Sequence, residues 1–267
     1  MTKLPIRSEK IRWGFLSTAG IAKKNWRAIS RSEEGVVRAV ASRDVNSAQR
    51  FIDECQGNCP FGTAPEAFGS YQAMLDSKDI DAVYIPLPTG IRKEWILAAA
   101  KSGKHILAEK PAALSAADVE EILDVCKANG VQYMDGVMFM HSQRLPQLRE
   151  TLKSPSGIGA IKRIATQFSF NGDQEFRTKN IRSNSQYEPH GSLGDLGWYT
   201  IRMILWVNEW RMPTSLTARC ISTLQGEGSP NPVPMEFTAE MQFDNGVSAS
   251  FYCSFAVSYT HLRAHET

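Results

Sequence analysis

The chain has 267 residues, 42% hydrophobic and 22% charged, with a formal net charge of +2. That length holds one or two packed cores, and the balance is ordinary for a globular protein. The small, evenly spread charge argues against a nucleic-acid or membrane-surface binder, and neither a signal-peptide core after Met1-Thr2-Lys3-Leu4-Pro5 nor an apolar run long enough to span a bilayer is present.

Ile11 to Leu16 reads as a strand and Ile21 to Ser30 as a helix. Between them, Ser17-Thr18-Ala19-Gly20-Ile21-Ala22 stands where a dinucleotide-binding G-x-G-x-x-G/A turn would lie. Ser17 and Ala19 replace two glycines, and Ala22 is the small third residue. Small residues there let backbone N–H groups at a helix N-terminus approach a pyrophosphate. The next strand, Val36 to Ala41, ends in Ser42-Arg43-Asp44. An acidic residue at that tip would hold the adenosine ribose and repel a 2′-phosphate. Ser42 and Arg43 instead offer a hydroxyl and a guanidinium to a phosphate dianion, so the expected cofactor is NADP rather than NAD. Asp44 suits the N-cap of a helix from near Val45.

Further helices are predicted at 70–76, 91–102 and 115–129, with strands at 82–85, 105–108 and 132–135. Ser115 with Asp118 resembles a capping box, and Gly130 is a helix-stop signal. The strand ending at Ala108 runs into Glu109-Lys110-Pro111, which delivers an ammonium group to the carboxyl edge of a sheet, where ligands of open α/β sheets bind. Pro111 restricts the backbone of Lys110 and so aims its side chain. Strict strand–helix alternation through residue 137 predicts a doubly wound parallel sheet, a Rossmann domain over residues 1–137.

Beyond Val137 the pattern changes to helices at 141–151 and 197–207, a strand at 162–170, and strands at 236–243 and 247–255 flanking Asp244-Asn245-Gly246. Asn-Gly between two alternating runs is a hairpin signal. An α+β domain with a mostly antiparallel sheet is therefore expected over residues 138–257. Ser258 to Thr267 fits no strand or helix register and reads as a non-native tail on a truncated frame. The hairpin is then expected to leave an unpaired edge and an incompletely covered apolar face of Phe237, Met241, Val247 and Phe251. The five cysteines (Cys55, Cys59, Cys126, Cys220 and Cys253) are scattered, with no completing histidine group. No metal is expected, and reduced thiols and a cytoplasmic location are.

Trp13-Gly14, Ser17-Thr18-Ala19, Ala41-Ser42-Arg43, Ile85-Pro86-Leu87-Pro88-Thr89, Gly103-Lys104-His105 with Glu109-Lys110-Pro111, and Asp195-Leu196-Gly197-Trp198-Tyr199 follow one another in an order and spacing that resembles the Gfo/Idh/MocA family. Within it the chain looks most like the branch of NADP-dependent D-xylose dehydrogenases and dimeric trans-dihydrodiol dehydrogenases. The resemblance implies a cofactor site formed by Ser17, Thr18, Ala19, Gly20, Ile21, Ser42, Arg43, Leu87, Pro88, Thr89, Arg92, Glu109 and Lys110. Many members carry a histidine where this chain has Arg92. It also implies that Tyr199 moves the substrate proton with Asp195 beside it. Hydride transfer from a hydroxyl-bearing carbon needs such a group, and Lys110 can hold the developing alkoxide. The implied function is hydride transfer between NADP and a sugar or cyclic diol hydroxyl, in a homodimer, with residues 138–257 as the substrate-binding and dimerisation domain. A catalytically inactive NADP-binding sensor is the alternative; retention of Lys110, Asp195 and Tyr199 favours the enzyme.

Overall fold

The computed structural model describes residues 10–154 and 157–257; the segment read above as a non-native tail lies outside them. The chain divides into two compact units, with the boundary at Gly136 and Val137.

The first unit alternates β1 (Ile11–Leu16), α1 (Ala22–Ser30), β2 (Gly35–Ala41), α2 (Val45–Asn58), β3 (Glu66–Phe68), α3 (Tyr71–Leu75), β4 (Ala82–Ile85), α4 (Thr89–Lys101), β5 (His105–Ala108), α5 (Ala116–Ala128) and β6 (Tyr133–Asp135). The strands form one parallel sheet in the order β3-β2-β1-β4-β5-β6. The order reverses between β1 and β4, the arrangement of a doubly wound dinucleotide-binding sheet. Its strands are apolar on both sides because helices cover both faces. On one face Leu16, Val83, Ile85 and Ile106 pack with Met74 of α3, Ile96 of α4 and Ile122 of α5. On the other, Phe15, Val37, Val40 and Tyr84 pack with Trp26 of α1 and Phe51 and Ile52 of α2. Two helix starts follow the sequence signals: the Asp44 carboxylate accepts from the N–H groups of Asn46 and Ser47, and Ser115 Oγ accepts from Asp118 N–H.

The second unit contains a 3-10 turn (Met138–His141), α6 (Arg144–Lys153), β7 (Arg163–Ser169), α7 (Gln174–Lys179), a π-helical turn (Leu193–Gly197) running into α8 (Trp198–Val207), then β8 (Ser215–Leu224), β9 (Val233–Gln242) and β10 (Ser248–Ser254). The sheet order is β7-β10-β9-β8. β9 and β10 form the expected antiparallel hairpin, closed by Phe243 N–H on Val247 O at 3.0 Å and by Gly246 at φ 76°, where glycine avoids the Cβ penalty.

Two expectations about this sheet need correction. β10 is not an edge, since it pairs along its whole length in parallel with β7. Nor is the hairpin's apolar face uncovered. Met241, Val247 and Phe251 are buried in a core with Leu196 and Ile204, and Phe237, half-buried, stacks on Phe251 at 6.1 Å. The helix carrying Leu196 and Ile204 covers that face. Exposure falls instead on β8, which pairs with β9 and whose residues from Ser215 to Ile221 are open to solvent.

Candidate active site

The parallel sheet brings the tips of β1, β2, β4 and β5 to one carboxyl edge. After β1, Ser17 takes φ 130°, a conformation that ordinarily calls for glycine, and its Oγ accepts from Ala19 N–H at 3.2 Å. α1 follows with no side-chain cap and no acidic residue in its first turn. A Cβ added at Gly20 would meet nothing within 4 Å. The helix N-terminus thus faces open space through small residues, with its partial positive charge uncompensated by a side chain. That arrangement fits a dinucleotide pyrophosphate.

At the tip of β2, Ser42 N–H bonds Phe68 O at 3.0 Å, and Arg43 is exposed. The neighbouring carboxylate of Asp44 is turned into its own helix. Hydrogen bonds from the Ser47 hydroxyl and the Asn46 backbone hold it below the usual carboxylate range. Arg43 is therefore the charge this tip presents outward, as a 2′-phosphate would require.

The tips of β4 and β5 are joined by an internal brace. Leu87 and Thr89 are buried, and Pro88 precedes α4 in extended conformation. Arg92, on the first turn of α4 and only 3% exposed, donates from Nε to Leu87 O at 2.7 Å. Its Nη1 donates to Glu109 O at 2.6 Å and to Pro111 O at 2.5 Å. Tyr84, fully buried on β4, donates its hydroxyl to Glu109 Oε1 at 2.6 Å. Burial first, and then the Glu109 charge, push that phenol far above its ordinary pKa, so it stays a donor. Glu109 is held by side chain and carbonyl at once. Lys110 is half-buried, and the bond to Pro111 is cis. Gly136 closes the group from β6, donating to Ala108 O at 2.6 Å; a Cβ there would lie 3.2 Å from that oxygen. His105 serves the sheet, its Nδ1 accepting from Gln132 N–H.

In the second unit, Gly191 turns the chain into the π-helical turn with φ 45°, its Cα packed where a Cβ would lie 2.2 Å from Pro234 O. Asp195, on that turn and 8% exposed, pairs with Arg182 Nε at 2.8 Å. Sequence reading did not find Arg182, because the partners are thirteen positions apart across a loop and no periodic signal links them. Tyr199 lies one turn after Asp195, on α8, between the rings of Phe139 and Phe168 at centroid distances of 5.9 and 5.4 Å. With Thr166, Gln167, Thr200 and Met203 they line an open hollow of about 460 Å³. The predicted residues thus fall into two groups. The nucleotide-turn, phosphate-tip and lysine residues share one sheet edge, while Asp195 and Tyr199 belong to the other unit.

Residues 11–137 match the model of the oxidoreductase family with the NAD-binding Rossmann fold, GFO/IDH/MocA, and residues 147–266 match the C-terminal domain model of the same family. The chain is 30% identical to D-xylose 1-dehydrogenase (NADP(+)) 2 of Haloferax volcanii, over 96% of this chain and 73% of that protein. It is 27% identical to trans-1,2-dihydrobenzene-1,2-diol dehydrogenase of Bos taurus, over 94% of this chain and 70% of that one. Among solved structures, a 3-ketoreductase from Actinomadura kijaniata, in complex with TDP-benzene and NADP, superposes with a TM-score of 0.78 at 27% identity. That match covers 94% of this chain and 72% of that one. With both of its domains matched in order, a nucleotide turn after β1 and Glu109-Lys110-Pro111 after β5, the chain belongs to the GFO/IDH/MocA family of oxidoreductases.

Proposed function

We propose that the protein is an NADP-dependent dehydrogenase acting on a hydroxyl of a sugar or a cyclic diol. The observation that carries this reading is the half-buried Lys110 at the tip of β5, on the same sheet edge as the open nucleotide turn. The xylose and dihydrodiol dehydrogenases supply the substrate class, and the NADP-bound ketoreductase supplies the cofactor, in agreement with the Ser42-Arg43 tip.

When bound, the nicotinamide supplies the hydride acceptor. Ser17 to Ile21 would hold the pyrophosphate through backbone N–H groups, and Ser42 with Arg43 would hold the 2′-phosphate. Tyr199, as its phenolate, takes the proton from the reacting hydroxyl, and the Lys110 ammonium favours both that phenolate and the alkoxide that develops on the substrate oxygen. Asp195, already ionically paired with Arg182, fixes the start of the helix that carries Tyr199 and adds negative charge beside it. The rings of Phe139 and Phe168 flank Tyr199 and lower the dielectric around it. A lysine and a tyrosine are also residues replaced in solved variants of the 3-ketoreductase.

The experiment is a screen of aldoses, inositols and cyclic diols with NADP, read by absorbance of the reduced nicotinamide, followed by Lys110→Met and Tyr199→Phe. Each substitution is expected to lower kcat by about 10²–10⁴ with little change in NADP affinity. Parental kcat in Tyr199→Phe across the pH range would pass the proton-transfer role to another group, with His190 next in line. NADP binding without turnover on any substrate of these classes would favour the sensor.

A further inference from the structure

We propose that Arg92 is a positioning residue for Lys110, acting from inside the protein and not as a group that touches the cofactor; this rests on the catalytic role assigned to Lys110 above. Arg92 has the composition of a binding residue but the placement of a strut. It is 3% exposed, on the buried side of α4's first turn. Three of its hydrogen bonds go to backbone carbonyls, and two of those acceptors, Glu109 O and Pro111 O, flank Lys110 on either side. The third, Leu87 O, belongs to the tip of the neighbouring strand. One guanidinium therefore ties the β4 tip, the peptide before Lys110 and the carbonyl of Pro111 after it into a single unit.

The geometry demands arginine. A planar fork reaches separate acceptors in fixed directions, whereas an ammonium on a flexible stem concentrates its donors at one point. Keeping a charged group this deeply buried is costly unless its protons are satisfied, so the three carbonyls and the guanidinium hold each other in place. Tyr84 reinforces the same segment from a different direction through Glu109 Oε1. Both bonds act on Glu109, the residue next to Lys110. Small displacements of a catalytic group can cost about 10²-fold in rate, which is ample reason to brace its backbone on both sides.

The test uses Arg92→Lys and Arg92→Gln, each made in the parent and in Lys110→Met, with NADP affinity measured to verify that each variant is folded. If Arg92 acts through Lys110, Arg92→Lys lowers kcat about ten- to a hundredfold in the parent and changes nothing further in Lys110→Met. NADP dissociation constants should stay within about twofold. Equal fold-losses in both backgrounds overturn the inference while leaving the role of Lys110 intact. An unchanged kcat in Lys110→Met alone overturns the reading on which it rests.

A second measurement does not need turnover. Competitive acetylation followed by mass spectrometry reads the reactivity of single lysines across pH. The profile of Lys110 is expected to shift in both Arg92 variants. That of Lys104, whose ammonium is held by the carbonyls of Ser77 and Ile80, should remain parental. A parental Lys110 profile in folded Arg92→Lys and Arg92→Gln, or equal shifts at Lys110 and Lys104, would refute a specific positioning role.

Discussion

Arg43→Ala tests the cofactor assignment most directly. Arg43 is exposed at the β2 tip, and its neighbour Asp44 is committed to capping α2, so the guanidinium meets a 2′-phosphate without first breaking an ion pair to that carboxylate. A hydrogen bond to a charged partner contributes about 1.5–3 kcal/mol. Because this contact lies at the surface, in high dielectric and open to salt, the lower end applies, about 1.5 kcal/mol. That corresponds to about a tenfold weakening of NADPH binding. NADH carries no 2′-phosphate, so its affinity should be unchanged, and the preference between the two should fall by the same factor. Titration of nicotinamide fluorescence with each cofactor measures both constants. Raising ionic strength from about 0.1 to 1 M shortens the screening length from about 10 to 3 Å, so the parental preference should shrink with salt while that of Arg43→Ala stays flat. Equal affinity of the parent for the two cofactors, or a tenfold loss for NADH as well as NADPH, would refute the assignment.

Three further outcomes concern the scaffold. Gly191→Ala drives a Cβ to within 2.2 Å of the Pro234 backbone oxygen at a residue with φ 45°. Conformational strain and overpacking together should cost about 2–5 kcal/mol and lower Tm by on the order of 10 °C in calorimetry. Tyr84→Phe removes the hydroxyl that holds Glu109 Oε1 and should cost about 1–2 kcal/mol in urea unfolding, with the loss unchanged in the neutral pH range, since the phenol does not ionise there. Hydrogen bonds from Ser222 and then Tyr252 hold Glu236 below its ordinary value of 4.5. A carboxylate depressed on folding contributes stability above its unfolded pKa and loses it as pH falls through the folded one. Glu236→Gln should therefore lower the urea midpoint at pH 6 and flatten its fall below about pH 4.5; an acid limb identical to the parent's would contradict this.

Local chemistry sufficed for much of this protein. β1, β4 and β5 lie where apolar runs put them, Asp44 caps α2, Ser115 caps α5, and the Asn245-Gly246 signal closes a hairpin, because each depends on neighbours within a few residues. The short β3, α7 and the solvent-exposed β8 escaped, since three residues, a single polar turn and an edge strand without a buried face leave no clear period. Lys110 was recoverable for the same local reason: a strand followed by Glu-Lys-Pro fixes where the lysine emerges. What only the tertiary structure decided are the relations between distant segments. It turned Arg92 inward onto carbonyls from two strand tips, paired Asp195 with Arg182, set β10 beside β7, and covered Met241 and Phe251 with the helix bearing Leu196 and Ile204. An arginine reads alike in sequence whether its fork meets a phosphate in solvent or three buried carbonyls. The choice is made by which acceptors the packed backbone leaves to be satisfied, and those acceptors lie up to 19 residues away.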